Sequence, residues 1–212
     1  YSGAVLQKTL KKAIKVIQRK NNRKLTIIAA GHSASVVLTL KDKYINTIKQ
    51  IVLIAPTWRG PLPSMTGWSP KRLNIINEIV RLPIIGPILY FINTTKVIIR
   101  FMMKRHVWLN KNDLDNDKIL RLQVLSRQKG ARYASAAFVT GSLDIDKNKK
   151  WWISNTKKIQ EMSTLVIPKD SPKKSLSEME VLSDSIKDVL YIRGRLGCHE
   201  EFGEEIAKRL FY

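Results

Sequence analysis

Apolar positions recur at helical spacing at the start of the chain. Val5, Leu6, Leu10, Ile14 and Ile17 fall on one side, and Lys8, Lys11, Lys12, Lys15 and Arg19 fill the other, which predicts an amphipathic helix. The pair Asn21-Asn22 breaks this pattern, and residues 25–30 (LTIIAA) form a short apolar run of the kind expected for a strand buried on both faces. After a turn at Gly31-His32-Ser33, residues 34–48 read as a helix. Residues 50–55 (QIVLIA) read as a second buried strand that stops at Pro56. Helix, strand, helix, strand in this order predicts a parallel sheet built from βαβ units.

Residues 57–161 hold no clear strand and are too long for a loop, so they are read as an inserted helical cap. The insertion opens on TWRGPLPSMTGW, and helices are expected over 71–81, 84–106, 115–127 and 131–140. The alternation then resumes with a strand at 163–167 (STLVI), a helix at 175–183, a strand at 188–193 (DVLYIR) and a final helix at 200–211 with Phe202, Ile206 and Leu210 on one face. The organisation is therefore a core of residues 1–56 and 162–212 with a cap of residues 57–161. The apolar run LPIIGPILYFINTTKVIIRFMM does not read as a membrane span, because Pro83, Gly86 and Pro87 break its first part and Lys96 and Arg100 interrupt its second. It reads either as a cap packed on itself or as a greasy face turned to a hydrophobic substrate or a lipid surface.

Composition adjusts this picture in two ways. The chain has 212 residues, 44% of them hydrophobic and 26% charged, which is material for one full core and argues against a membrane bundle. Lys and Arg number 38 against 17 Asp and Glu, a formal charge of +21, so a polyanion or an anionic membrane enters as a partner. The basic residues are spread along the chain with only short clusters, such as Lys11-Lys12 and residues 147–150. A nucleic-acid partner is disfavoured because no recognition motif accompanies the charge. Cys198 is the only cysteine, so no intramolecular disulfide can form, and His32, His106 and His199 share no metal-ligand spacing. No metal and no cofactor is expected. A cytoplasmic protein with peripheral membrane contact is the expectation, and the start at Tyr1 suggests a piece of a longer chain.

Candidate chemistry gathers where a parallel sheet gathers it, at the carboxyl ends of the strands. Ser33 follows the first strand directly, Asp170 follows STLVI by two residues beyond Pro168, and His199 follows DVLYIR. A serine hydroxyl becomes a nucleophile when an imidazole takes its proton and a carboxylate fixes that imidazole. GHSAS, IVLIAPTWRGPLP and LGCHEEF together resemble the α/β-hydrolase superfamily, with Ser35 standing where the nucleophile-elbow pattern G-x-S-x-G has its second glycine. The middle motif is similar to a branch found in cyanobacteria and plastids that carries a helical cap. The resemblance implies an α/β-hydrolase fold with the C-terminal half of its sheet present. It also implies Ser33 as nucleophile, His199 as base, Asp170 as orienting acid and the Ala34 backbone N–H as one oxyanion donor. Asp170 also fits a turn or capping role, with Glu178 and Glu180 as alternative acids. His32 takes the variable position of the elbow, His106 a structural place in the cap, and Cys198 that of a small filler. Trp58, Trp68, Phe91 and Phe101 are the candidate substrate-binding residues. The function implied is hydrolysis of a hydrophobic ester, or of an amide or thioester, through an acyl-enzyme. The alternative is the same fold kept as a binding or scaffold protein without turnover.

Overall fold

In the computed structural model, which describes residues 2–20, 23–145 and 148–212, the chain opens with helix α1 (Gly3–Lys20), strand β1 (Leu25–Ala30), the short helices α2 (Ser33–Val37) and α3 (Asp42–Ile45), and strand β2 (Ile48–Ile54). An all-helical stretch follows: α4 (Pro61–Thr66), α5 (Pro70–Arg81), α6 (Ile85–Asn93), α7 (Lys96–Met102), α8 (Asn116–Ser126), α9 (Ala131–Val139) and α10 (Lys149–Lys158). Strand β3 (Ser163–Pro168), helix α11 (Lys173–Ser183), strand β4 (Asp188–Ile192) and helices α12 (Cys198–Glu201) and α13 (Gly203–Phe211) complete it. The Asn21-Asn22 break, Tyr1 and Lys147 lie outside the described residues.

The four strands form one parallel sheet in the order β1-β2-β3-β4. Every residue of β3 is buried, as is β2 from Ile51 to Ile54, because helices cover both central strands. The edges behave differently. β1 was expected to be buried on both faces, but as an edge strand it leaves Thr26 and Ile28 exposed. The main core gathers Ile14, Ile51, Leu53, Trp152, Leu165, Ile167, Met179 and Ile206 on and around the sheet. A small second core of Trp108, Leu114 and Ile119 lies within the helical stretch between β2 and β3.

Several expected helices are divided. Residues 34–48 hold α2, a turn, α3 and the start of β2. The Thr39 hydroxyl donates to the Val36 carbonyl at 2.7 Å and the Leu40 N–H to that of Val37, so the chain tightens and leaves the helical path. The helix expected over 84–106 is broken at buried Thr94, whose hydroxyl donates to the carbonyls of Tyr90 and Phe91. It resumes as α7 and ends in a π-helical turn, Met103–Val107. The final helix is interrupted at Phe202, and α10 was not expected. Among the described residues no single helix is long and apolar enough to cross a membrane.

Candidate active site

The turn after β1 shapes the site. Gly31 takes the left-handed conformation (φ +57°), which a side chain at Cβ would oppose, and its N–H donates to the Ile54 carbonyl of β2. The chain then passes directly into α2, with His32 and Ser33 in its first turn. Ala34 and Ser35 are buried beneath, and the Ser35 hydroxyl donates to the Thr57 carbonyl at 3.0 Å. Ser33 is exposed, and its hydroxyl donates to the Ala30 carbonyl at 2.7 Å. The positive φ of this turn thus sits on Gly31, leaving Ser33 helical. The N–H of Ala34, expected to point at a reacting carbonyl, donates instead to the Gly31 carbonyl at 3.3 Å, because the turn closes on itself.

Asp170 and His199 lie at the ends of β3 and β4, the same edge of the sheet as Ser33. Asp170 faces β4: its carboxylate accepts from the Gly194 N–H at 2.9 Å, and its own N–H donates to the Gly194 carbonyl at 2.9 Å. It therefore fixes the start of the loop that leads to His199 and makes no hydrogen bond to the imidazole among the described residues. His199 is exposed at the start of α12 and makes no hydrogen bond to Ser33 or Asp170 among the described residues. Glu178, an alternative acid, is engaged by the Arg59 guanidinium at 2.6 Å, and that guanidinium also stacks on Trp58 at 4.9 Å. Cys198 is fully buried, and desolvation pushes its thiol up to about 12, so it is held as a neutral filler.

The loop bearing His199 is gripped from outside by the π-helical turn. Gly197 donates to the Val107 carbonyl at 3.0 Å, and Arg195 Nη1 donates to the carbonyls of Lys104 and Arg105. In return the Glu201 carboxylate accepts from the N–H groups of Leu109 and Asn110, at 2.9 and 2.6 Å. A Cβ on Gly197 would stand 2.6 Å from Val107 Cγ1, so this close docking requires glycine. His106 lies in the same turn. Burial, and then the positive charges of Arg105 and Arg195, hold its pKa below the usual imidazole value.

A second pair was not foreseen. His32 Nε2 lies 3.1 Å from Asp144 Oδ1, and a carboxylate can only accept, so Nε2 carries the proton. The two side chains are only 10% and 3% exposed, and the same Asp144 oxygen accepts from the Gly60 N–H at 3.0 Å. The His32 ring stands edge-on to Phe138. Asp144 also borders a cavity of about 200 Å³ lined by Trp58, Arg59, Pro63, Trp68, Leu73 and Gly141, among others. Of the expected substrate-binding residues, Trp58 and Trp68 line it. Phe91 and Phe101 do not; both are more than half exposed and lie under the guanidinium groups of Arg127 and Arg105. Ser33 and His199 do not line it either, and it reaches the turn through Asp144 and His32. Asp144 had no sequence signal beyond its place after α9, since His32 and Asp144 are 112 positions apart. Among the described residues no cluster of His, Cys, Asp or Glu could hold a metal ion.

No protein-family model matches the chain, and no curated protein matches it by sequence. Solved structures do. The enol-lactonase from Burkholderia xenovorans superposes with a TM-score of 0.64 at 10% identity, covering 99% of this chain and 72% of that one. A mutant haloalkane dehalogenase from Agrobacterium tumefaciens gives 0.63 at 12%, covering 99% and 72%. A meta-cleavage product hydrolase from Pseudomonas fluorescens gives 0.62 at 9%, covering 99% and 70%. At these identities the likeness concerns the fold: an α/β architecture with a parallel sheet flanked by helices, the α/β-hydrolase fold.

Proposed function

Proceeding from that fold, we propose that the chain is a serine hydrolase acting on an ester with a small hydrophobic group. The observation that carries this reading is the exposed Ser33 hydroxyl in the first turn of α2, at the sheet edge shared by the loops of Asp170 and His199. In the reaction Ser33 Oγ leaves the Ala30 carbonyl, passes its proton to His199 and attacks the substrate carbonyl. The alcohol departs with that proton, and water activated by His199 then releases the acid from Ser33. Asp170 acts through the backbone of Gly194 by holding the loop of His199. The Ala34 N–H is a usable oxyanion donor because its present bond, at 3.3 Å, is longer than the usual 2.9–3.0 Å and is readily exchanged for a charged acceptor.

The neighbouring enzymes act on different bonds, so the substrate class rests on the cavity beside Asp144. At about 200 Å³ it is smaller than the roughly 300–1,000 Å³ typical of drug-sized ligands, which favours a short acyl group between Trp58 and Trp68. Hydrolysis of p-nitrophenyl esters of increasing acyl length tests this. Turnover should fall as the chain lengthens and should be lost in Ser33→Ala and His199→Ala. Equal rates for wild type and Ser33→Ala would overturn it.

A second reading is a binding protein on the same fold. It is favoured by the engagement of both the Asp170 carboxylate and the Ala34 N–H within the backbone. It requires saturable binding of a short ester with no release of alcohol.

A further inference from the structure

Helix α6 is apolar, yet it is exposed around most of its circumference. No charged residue occurs from Leu82 to Thr95. Ile84 is 72% exposed, Ile88 56% and Phe91 57%, with Leu82, Ile85, Leu89 and Ile92 also open to solvent. The segment is nonetheless held at fixed points. Gly86 is buried so close to α5 that a Cβ would stand 2.1 Å from the Val80 carbonyl oxygen, and the chain bends by 100° between α5 and α6. Tyr90 Oη lies 3.0 Å from Ser135 Oγ, and Gln123 donates to the Thr94 carbonyl at 2.9 Å. A projecting apolar tip is therefore built into the fold and braced from behind.

The charges that flank the tip along the chain are mostly positive. Lys71, Arg72 and Arg81 precede it and Lys96 and Arg105 follow it, all exposed, while Glu78, the only acidic residue between Pro56 and Asn112, pairs with Arg81 at 3.5 Å. An uncharged wedge on a segment flanked by cations matches the interface of an anionic bilayer, where acyl chains take the apolar side chains and headgroup phosphates take the ammonium and guanidinium groups. We infer that the tip formed by the α5–α6 bend inserts into the headgroup region of membranes rich in anionic lipid and docks the protein there. The tip does not span. At 1.5 Å per residue, the nine residues of α6 reach about 14 Å, roughly half of a hydrocarbon core, and the sharp bend turns the chain back. A second copy is the weaker occupant, because pairing two tips would bring two sets of cations face to face. Docking also has a consequence for the proposed hydrolase, since Pro70 and Leu73, at the start of α5, line the cavity beside Asp144. The membrane claim itself does not depend on catalysis.

Co-sedimentation with vesicles of phosphatidylcholine, and of phosphatidylcholine mixed with phosphatidylglycerol, tests the inference. The protein should partition onto the anionic vesicles, less so as salt rises, and weakly onto the neutral ones. Replacing exposed Ile84 or Ile88 with Asp should weaken binding about tenfold each. Each of Lys71→Gln, Arg72→Gln and Lys96→Gln should weaken it about fivefold. Ser33→Ala should bind like wild type, which separates this claim from the catalytic one. The inference fails if wild type and Ile84→Asp sediment equally. It also fails if neutral and anionic vesicles bind alike, or if gel filtration shows a dimer that Ile84→Asp dissolves while vesicles capture neither protein.

Discussion

Removing the Asp144 carboxylate should loosen the joint between the turn of Ser33 and the helical stretch between β2 and β3. In Asp144→Ala two buried donors, His32 Nε2 and the Gly60 N–H, lose their acceptor. An unsatisfied buried donor costs about 1–3 kcal/mol, so the pair would cost about 2–6 kcal/mol if nothing replaced the acceptor. The adjoining cavity of about 200 Å³ can admit water to one of them, which brings the expected loss to about 2–3 kcal/mol. For a chain of this size that corresponds to a fall in Tm of roughly 4–12 °C. Asp144→Asn keeps an acceptor for Gly60 and should lose about half as much. The assay is thermal and urea denaturation followed by circular dichroism. Lys208→Ala serves as the control, since its exposed pair with Glu204 is worth only a few tenths of a kcal/mol. If Asp144→Ala melts within the range of that control, the buried pair contributes nothing to stability.

Two further outcomes follow from the loop of His199. Glu201→Ala removes the acceptor of the Leu109 and Asn110 N–H groups, so hydrogen–deuterium exchange at these amides should accelerate while the strands keep their protection. Unchanged exchange would mean that the carboxylate does not pin Leu109 and Asn110. Cys198 should resist a disulfide reagent at pH 8 until the protein is unfolded, because its thiol is buried and held near 12. The unfolded chain ionises this thiol from about pH 9. Its contribution to stability is therefore present below pH 9 and is lost as pH rises toward 12, a decline that Cys198→Ala should lack.

The layout of the sheet was legible in the sequence because its central strands are buried on both faces and so read as unbroken apolar runs. Helix α8 was legible for a local reason as well: Asp115 caps it, its carboxylate accepting from the Lys118 N–H at 2.6 Å. What escaped depends on partners distant in the chain. Thr94 breaks a helix because its hydroxyl turns back onto the carbonyls of Tyr90 and Phe91, and its own carbonyl is claimed by Gln123. Phe91 and Phe101 have the chemistry of pocket residues, but the packing of α6 and α7 turns them outward. The proposed site divides in the same way. That Ser33, Asp170 and His199 each follow a strand was legible in the sequence, whereas the engagement of Asp170 with Gly194 and of His32 with Asp144 is set only by the folded chain.

The proposed function stands on Ser33 acting as a nucleophile activated by His199. Treatment with a fluorophosphonate probe, followed by peptide mapping, tests it most directly. A single adduct on Ser33 is expected, absent in Ser33→Ala and strongly slowed in His199→Ala but not in Cys198→Ala. An unlabelled wild type, or an adduct that persists in Ser33→Ala, would contradict it.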